Sequence, residues 1–267
     1  MEKREIYVKN KYHLGDCIFI LICFKQIEYY IKENNIFIYF YCYEDHVPQV
    51  KDFNESNNVI IFPLSELSQV QNNVHDLWIG SPDSKYNWFR AMTEPIITYD
   101  HFFINFYNNF LEVIEIPIKL EKFTYKCHYL VNRCNEINNM TNSKYIGIDF
   151  LINNGEPKSY QLDYNLEEWN NFVINLSKKY KVVTTQKVDN IPCTRDDSLT
   201  VKDIAAISLN IKNFILIESG VTTGLYNEYM TETPDISVYH LSNNNCHKTS
   251  FNNWKTYNHI RDILFLL

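Results

Sequence analysis

Short apolar segments of strand character alternate with helical patterns along most of this chain. The first part begins with a strand at residues 5–8, a helix at 15–33 and a second strand at 36–43. This order is typical of a βαβ unit, in which a helix crosses between two parallel strands. Two further short strands are predicted at 59–62 and 77–79. The economical interpretation is a parallel sheet.

The same alternation begins again in the second half of the chain. The predicted elements are strands at 145–150, 182–185, 213–217 and 236–240, and helices at 166–180, 200–209 and 222–230. Between the two halves, residues 87–115 have an aromatic helical pattern, whereas 116–142 are irregular, polar and rich in lysine. We therefore place the domain junction in that polar segment.

These patterns predict an α/β chain of two Rossmann-like doubly wound domains that face a cleft. The first domain covers residues 1–125 and the second covers 143–250. Residues 251–267 are apolar at helical spacing, so we expect a C-terminal helix that packs back across the domains. In open sheets of this kind, ligands bind beyond the carboxyl ends of the strands. The loops that follow the strands are therefore the segments to search for a site.

Composition and charge exclude several classes of protein. The chain has 267 residues, 45% of them hydrophobic, and a formal net charge of −7 without a clustered basic face, which argues against a nucleic-acid partner. Its seven cysteines are scattered and form no CxxC pair, so neither a disulfide framework nor a zinc site is indicated. The longest apolar run, residues 17–24, is too short to span a membrane. The first residues lack the pattern of a secretory signal, so we expect a cytoplasmic location.

Residues 215–226 form the most informative segment for ligand binding. An apolar strand runs into Glu218, Ser219 and Gly220, and a helix is predicted to follow. The start of a helix carries unpaired N–H groups and a partial positive charge, which suit a phosphate. Gly220 can take positive φ and permits close approach of a ligand. The alternative is an ordinary strand-turn-helix corner.

Hydroxyl groups follow in the same segment. After Val221, Thr222 and Thr223 join Ser219 in offering hydroxyls that can cap the helix or bind phosphate oxygens. Together with Glu218 and Gly220, these residues are the core of a predicted donor-binding site.

The loop after the first strand carries a candidate base. Gly15 and Asp16 stand where the first long helix begins, below the predicted cleft. A carboxylate there is suited to remove a proton from an acceptor hydroxyl. The alternative is that Asp16 is a helix-start residue favoured by the helix dipole. His13 is a weaker candidate, which either orients a substrate hydroxyl or is a solvated loop histidine.

Three residues in the loops of the second half are candidates for nucleotide contact. Lys158 follows the first strand of that half, and a lysine there can neutralise a diphosphate leaving group. The alternative is a solvated loop lysine. Thr185 and Gln186 follow the next strand and can touch the nucleotide. A metal site is not predicted, since no Asp-x-Asp motif stands at a strand end.

The order and spacing of these segments resemble the heptosyltransferase-like GT-B enzymes, glycosyltransferase family 9. The resemblance covers most of the chain, and it is strongest in the second half. In the first half, the resemblance rests on Gly15-Asp16. In the second half, it rests on four segments: Lys158, which precedes the helix and the Tyr-Lys-Val-Val strand at 180–183; the Ser-Leu…Ala-Ala-Ile helix at 198–207; the strand and Glu-Ser-Gly at 214–220; and the Thr-Pro and strand at 233–239. The chain departs from the family pattern where Glu218 replaces Asp and where Val221-Thr-Thr replaces Pro-Met-His.

The resemblance implies a glycosyltransferase that moves a sugar from a nucleotide-diphosphate-sugar donor to a glycan or other hydroxyl acceptor. The implied transfer is inverting and metal-independent, needs no cofactor beyond the donor, and uses Asp16 as the base. Lys158 and the amides of residues 219–223 stabilise the departing diphosphate. Two alternatives stay open: a noncatalytic nucleotide-sugar-binding protein, and another nucleotide-sugar enzyme such as an epimerase.

Overall fold

A computed structural model describes residues 2–69, 73–78, 98–155, 162, 164–242 and 248–264. The chain divides into two compact units, residues 1–125 and residues 126–267. Each unit has its own parallel sheet. The predicted α/β class is therefore confirmed.

The first unit is built on a four-stranded sheet of order β3-β2-β1-β4, in which every strand pair is parallel. The strands are β1 (Arg4–Asn10), β2 (Ile36–Cys42), β3 (Val59–Pro63) and β4 (Val74–Asp76). The helices described in this unit are α1 (Leu14–Gln26), α2 (Glu28–Glu33), α3 (Val47–Phe53) and α4 (Tyr99–Val113). The predicted βαβ unit at the start of the chain is confirmed.

Helix α1 is the centre of this unit's core. All eight residues of the apolar run 17–24 are buried. The ring of Phe19 lies 3.8 Å from the ring of Phe103 in α4 and 5.4 Å from that of Phe123, measured between centroids. The long apolar run is therefore a buried core helix. Among the helices that the structure describes, none is long and apolar enough to cross a membrane.

Three details of the first unit differ from the predictions. The helix predicted over 15–33 is broken at Ile27, where φ is −104° and ψ is 8°, and the Ile27 N–H donates to Phe24 O in a tightened last turn. The strand predicted at 77–79 lies earlier, at Val74–Asp76, although the Leu77 N–H still donates to Lys9 O. Of the helical pattern predicted at 87–115, residues 99–113 are helix, and 87–97 lie outside the described residues.

The second unit is built on a five-stranded sheet of order β6-β5-β7-β8-β9, again entirely parallel. The strands are β5 (Phe150–Asn153), β6 (Val182–Thr184), β7 (Asn213–Ile217), β8 (Ser237–Leu241) and β9 (Trp254–Tyr257). The described helices are α5 (His128–Met140), α6 (Leu166–Ser177), α7 (Val201–Ile207), α8 (Gly220–Gly224), α9 (Glu228–Glu232) and α10 (Ile260–Leu264).

The central strands of this sheet are apolar along their length because parallel sheets are covered on both faces. One face forms a core cluster that includes Phe150 and Ile152 of β5, Trp169 of α6, and Ile260 and Ile263 of α10. Thr200 caps helix α7, because the Thr200 hydroxyl accepts from Asp203 N–H and the Asp203 carboxylate accepts from Thr200 N–H.

Two predictions at the start of the second unit are wrong. Residues 116–142 are not irregular throughout, since 128–140 form helix α5, which buries Leu130, Cys134 and Ile137. The polar residues of its other faces hid this helical spacing. The strand predicted at 145–150 begins only at Phe150. Tyr145 lies in the preceding turn, where its buried ring directs the hydroxyl to Asp197.

Two predictions at the end of the chain are also wrong. The helix predicted over 222–230 is two short helices, because Asn227 interrupts it and caps α9 by accepting from Met230 N–H. The closing segment 251–267 is not a single helix. Residues 254–257 form strand β9, and Trp254 donates its indole N–H to Met230 O while its backbone pairs with Val238.

Candidate functional site

The topology of the second sheet singles out one position for a ligand. The chain leaves β5 for β6 on one side and later returns to β7 on the other side. Strand order therefore reverses between β5 and β7. In open α/β sheets the crevice at the carboxyl ends of such a pair is where ligands bind. Asn153 ends β5, and Glu218 follows β7 directly.

The side chain of Asn153 connects three loops at this position. Its Nδ2 lies within hydrogen-bond distance of three acceptors, at 2.9 Å from Ile217 O, 2.7 Å from Ser219 Oγ and 2.8 Å from Thr222 Oγ1. Its Oδ1 accepts from the Thr185 hydroxyl at 2.9 Å. Asn153 is 1% exposed. A buried amide with these partners holds the ends of β5, β6 and β7 in fixed positions.

Asn154 connects the same edge to the loop after β6. Its Oδ1 accepts from Gln186 N–H at 2.9 Å, and its Nδ2 donates to Gln186 O at 3.2 Å. The Tyr164 hydroxyl donates to Asn154 O at 3.3 Å. The backbone of Gln186, a predicted nucleotide contact, is thus bound on both sides by one amide side chain.

The threonine hydroxyls of the Glu-Ser-Gly segment are used within the fold. The Thr222 hydroxyl donates to Ile217 O at 2.6 Å, and the Thr223 hydroxyl donates to Ser219 O at 3.1 Å. Both residues are buried, and no side chain caps α8. The expectation that these two hydroxyls cap the helix is therefore wrong, and their contact with phosphate stays a prediction. The turn also offers backbone amides.

Helix α8 is shorter than predicted. It has five residues and starts at Gly220, with Ser219 at the N-cap position. In its first turn, the N–H groups of Gly220, Val221 and Thr222 have no carbonyl within the helix to accept from them. Gly220 does not use positive φ, since Gly147 is the glycine with positive φ in the described chain. A helix this short adds little dipole, so ligand binding here depends mainly on the amides themselves.

Glu218 is paired with a histidine that the sequence analysis did not single out. Its Oε2 lies 3.2 Å from Nε2 of His240, which is near the end of β8. His240 is fully buried and Glu218 is 6% exposed. A buried carboxylate is costly unless it is paired, so this contact determines where the Glu218 carboxylate sits.

Lys158 falls outside the described residues, and its contact with phosphate stays a prediction.

The first unit has a comparable reversal of strand order. The chain passes from β1 to β2 and β3 on one side, and β4 then pairs with β1 on the other. Helix α1 starts just after β1, with His13 at the N-cap position and Gly15 and Asp16 in the first turn. His13 makes no side-chain capping bond. The structure therefore places the candidate base at the carboxyl edge of its sheet, as predicted.

An aromatic pair lies at the same edge. The Tyr12 ring stacks on that of Trp78 with centroids 3.5 Å apart, and Tyr12 N–H donates to Asn10 Oδ1 at 2.9 Å. Asn10 ends β1 and Trp78 lies two residues beyond β4, so this contact also connects the two strands between which the order reverses.

The carboxylate of Asp16 lies beside a buried, apolar region. A hydrogen bond with Cys42 and burial raise the pKa of Cys17, and the charge of Asp16 raises it further. Burial, followed by the charges of Cys23 and Asp16, raises the pKa of Tyr107.

Among the described residues, no group of three or more His, Cys, Asp or Glu side chains is arranged to hold a metal ion.

Two α/β units, each with its own parallel sheet, are the architecture found in GT-B glycosyltransferases. The chain has the fold of glycosyltransferase family 9 proteins, which solved structures establish at low sequence identity. A family 9 glycosyl transferase from Veillonella parvula superimposes with a TM-score of 0.57 and 14% identity, over 96% of this chain and 87% of that one. The heptosyltransferase WaaC of E. coli, with ADP-2-deoxy-2-fluoro heptose, gives 0.55 and 10%, over 95% and 92%.

A third solved structure has the same fold in a longer chain. The iron-containing dodecameric glycosyltransferase TibC from enterotoxigenic E. coli gives a TM-score of 0.53 and 10% identity, over 97% of this chain and 64% of that one. No protein-family model matches the sequence, and no curated protein matches it by sequence. The predicted resemblance is confirmed at the level of the fold.

Sequence reasoning missed Asn153, Asn154 and His240. A pair of asparagines at the end of an apolar strand of the second half was a usable signal for the first two, because ligands bind beyond the carboxyl ends of strands. No local pattern marked His240, because its role arises from a partner on the neighbouring strand.

Proposed function

We propose that this protein is a glycosyltransferase that moves a sugar from a nucleotide-diphosphate-sugar to a hydroxyl acceptor such as a glycan. The observation that carries the proposal is the shared fold with family 9 glycosyltransferases over nearly the whole chain. The neighbour WaaC has been solved both with ADP and with ADP-2-deoxy-2-fluoro heptose. These complexes support a nucleotide-sugar as the donor class proposed here.

The second unit is proposed to hold the donor. Its diphosphate would accept from the first-turn amides of Gly220, Val221 and Thr222, which have no partner within α8. The donor site further includes Thr185, Gln186, Glu218, Ser219 and Thr223. Thr185 and Thr223 act through the loop geometry that their hydroxyls fix. Lys158 is proposed to neutralise charge on the departing diphosphate.

The first unit is proposed to activate the acceptor. Asp16 removes the proton from the acceptor hydroxyl as the oxygen attacks the anomeric carbon, and the carbon–oxygen bond to the nucleoside diphosphate breaks. Attack from the face opposite the leaving group inverts the anomeric centre. Gly15 and His13 lie beside Asp16 at the start of α1. No step in this proposal requires a metal ion or a cofactor besides the donor.

A turnover assay tests the proposal against its two alternatives. Purified protein is incubated with ADP-, UDP-, GDP- and dTDP-linked sugars, with and without a panel of glycan acceptors, and release of nucleoside diphosphate is measured. The proposal expects release that depends on acceptor and a product one sugar longer.

Each alternative gives a different result in the same assay. Interconversion or hydrolysis of the nucleotide-sugar without acceptor would identify another nucleotide-sugar enzyme, such as an epimerase. Binding without turnover across the panel would identify a noncatalytic nucleotide-sugar-binding protein. Either result contradicts the transferase proposal.

A further inference from the structure

We propose that His240 is a positioning residue, which holds the carboxylate of Glu218 so that its second oxygen accepts a hydrogen bond from a hydroxyl of the donor. This inference rests on the proposed function, since it concerns the same donor site. It is carried by the contact of two buried side chains on neighbouring strands.

The backbone places the two residues side by side. In the parallel pair β7 and β8, Leu216 is in register with His240 and Ile217 with Leu241. Glu218 follows Ile217 directly, so its side chain begins one strand spacing away from the end of β8. Nε2 of His240 and Oε2 of Glu218 lie 3.2 Å apart.

Both side chains of the Glu218–His240 contact are buried. His240 is fully buried and Glu218 is 6% exposed, so water cannot solvate the carboxylate freely. Within the described residues, Oε2 of Glu218 and both ring nitrogens of His240 make no hydrogen bond of good geometry, so their 3.2 Å separation is a close polar contact. Each side chain is therefore the buried polar group that the other contacts.

An aromatic ring lies beside the His240 ring. The Trp254 ring lies 6.0 Å from it, between centroids. Trp254 donates its indole N–H to Met230 O at 3.1 Å, so it packs on the histidine without competing for the carboxylate. When Nε2 carries the proton, His240 can donate to Oε2 of Glu218 once the ring and the carboxylate align.

This arrangement determines what the carboxylate can bind. With Oε2 held by His240, Oε1 is the oxygen left for a ligand, beside the turn that opens α8. An ionised carboxylate is an acceptor only, so it selects hydroxyl groups and repels phosphate. Sugar and ribose hydroxyls have the same chemistry, and the bare nucleoside diphosphate separates them experimentally.

Isothermal titration calorimetry on matched variants tests the proposal. The probes are the nucleotide-sugar that wild type binds best and its bare nucleoside diphosphate. His240→Leu keeps apolar volume and removes the N–H, and it is expected to weaken nucleotide-sugar binding by about 10–100-fold. In His240→Gln, the side-chain amide nitrogen is separated from Cβ by the same number of bonds as Nε2 of histidine, so it offers an N–H at a similar distance. The nucleotide-sugar affinity of this variant is expected to stay within about threefold of wild type.

The second arm asks whether His240 acts through Glu218. Glu218→Gln alone is expected to weaken binding by about 10-fold or more, and His240→Leu added to it should cost less than about threefold further. If Glu218→Gln weakens binding of the bare nucleoside diphosphate as much as binding of the nucleotide-sugar, the contact is with a ribose hydroxyl. If it weakens binding of the nucleotide-sugar alone, the contact is with the transferred sugar.

Thermal unfolding without ligand accompanies each variant, so that loss of fold is separated from loss of binding. A folded His240→Leu protein that binds like wild type overturns the positioning role and leaves the proposed function intact. The positioning role is also overturned if His240→Leu weakens binding as much in the Glu218→Gln background as in wild type, because His240 would then act independently of Glu218. A wild-type protein that binds no nucleotide-sugar overturns the proposed function, and the positioning role with it.

Discussion

Nδ2 of Asn153 and Oγ of Ser219 lie 2.7 Å apart, which joins the end of β5 to the turn after β7. These strands are neighbours at the point where the order of the sheet reverses. The bond thus lies at the position where open α/β sheets bind ligands. A single buried amide side chain maintains the shape of that position.

Replacing Asn153 is expected to cost much more stability than replacing its partner Thr185. Asn153→Ala removes the Nδ2 contacts with Ser219 and Thr222 and the acceptor of the Thr185 hydroxyl at once, which we expect to lower the free energy of unfolding by about 3 kcal/mol or more. Thr185→Val removes one hydrogen bond and keeps the shape, so about 1–2 kcal/mol is expected. Urea unfolding of both variants measures the difference, and equal losses would contradict the central role of the amide.

Asp16→Asn is expected to reduce turnover without affecting the donor. Loss of a general base lowers kcat by about 10²–10⁴-fold, whereas the dissociation constant of the nucleotide-sugar should stay within about twofold. Glu28→Gln is a matched control, because Glu28 is also acidic and stands in the first turn of a helix of the same unit. Unchanged kcat in Asp16→Asn would remove Asp16 from the role of base.

The second unit is expected to lose stability in acid partly through Asp197. Burial on its own raises the pKa of this carboxyl, but hydrogen bonds from Lys144 and Tyr145 outweigh burial and lower its pKa. A folded pKa below the unfolded one means that the contribution is complete at neutral pH, and that it disappears as the pH falls from about 4 through the folded value.

Asp197→Asn should therefore reduce stability at neutral pH and flatten the dependence of unfolding free energy on pH below about 4. Asp235→Asn serves as the control, because its partner contact with Lys212 is largely exposed and should contribute little. Parallel acid profiles for wild type and Asp197→Asn would contradict the assignment.

Helix α1 is expected to be the stability centre of the first unit. Phe19 is 2% exposed and stacks among rings of α4, so Phe19→Ala should cost about 3–5 kcal/mol. Tyr29 is 78% exposed, and Tyr29→Ala should stay within about 0.5 kcal/mol of wild type. Denaturant unfolding compares them, and similar costs would mean that α1 does not anchor the core.

Local patterns predicted the parts of this fold that depend on local physics. Strand β7 has the predicted bounds, and α7 lies within the predicted helix at 200–209. Strand β9 was mistaken for a helix because its conformation depends on pairing with β8, a contact that sequence spacing does not reveal. Helix α5 was missed because only three of its residues are buried.

The same distinction between local patterns and contacts of distant residues applies to the candidate site. The strand-turn-helix segment at 215–226 and the position of Asp16 follow from local order, and both were predicted. The Asn153 hydrogen bonds and the Glu218–His240 contact join residues more than twenty positions apart. Their existence depends on which strands become neighbours, so side-chain identity alone did not mark them.

The most direct test of the proposed function is donor binding by the second unit. Thermal unfolding is followed with ADP, UDP, GDP and dTDP and their sugar conjugates, for wild type, Lys158→Ala and Lys212→Ala. Lys212 directly precedes β7, at the opposite edge of the sheet from the site, which makes it the matched lysine control. A ligand at about 100 times its dissociation constant stabilises the native state by about 2.7 kcal/mol. We expect one nucleotide class to raise Tm by several degrees in wild type and Lys212→Ala but much less in Lys158→Ala. No shift with any ligand at millimolar concentration would contradict a donor site in the second unit.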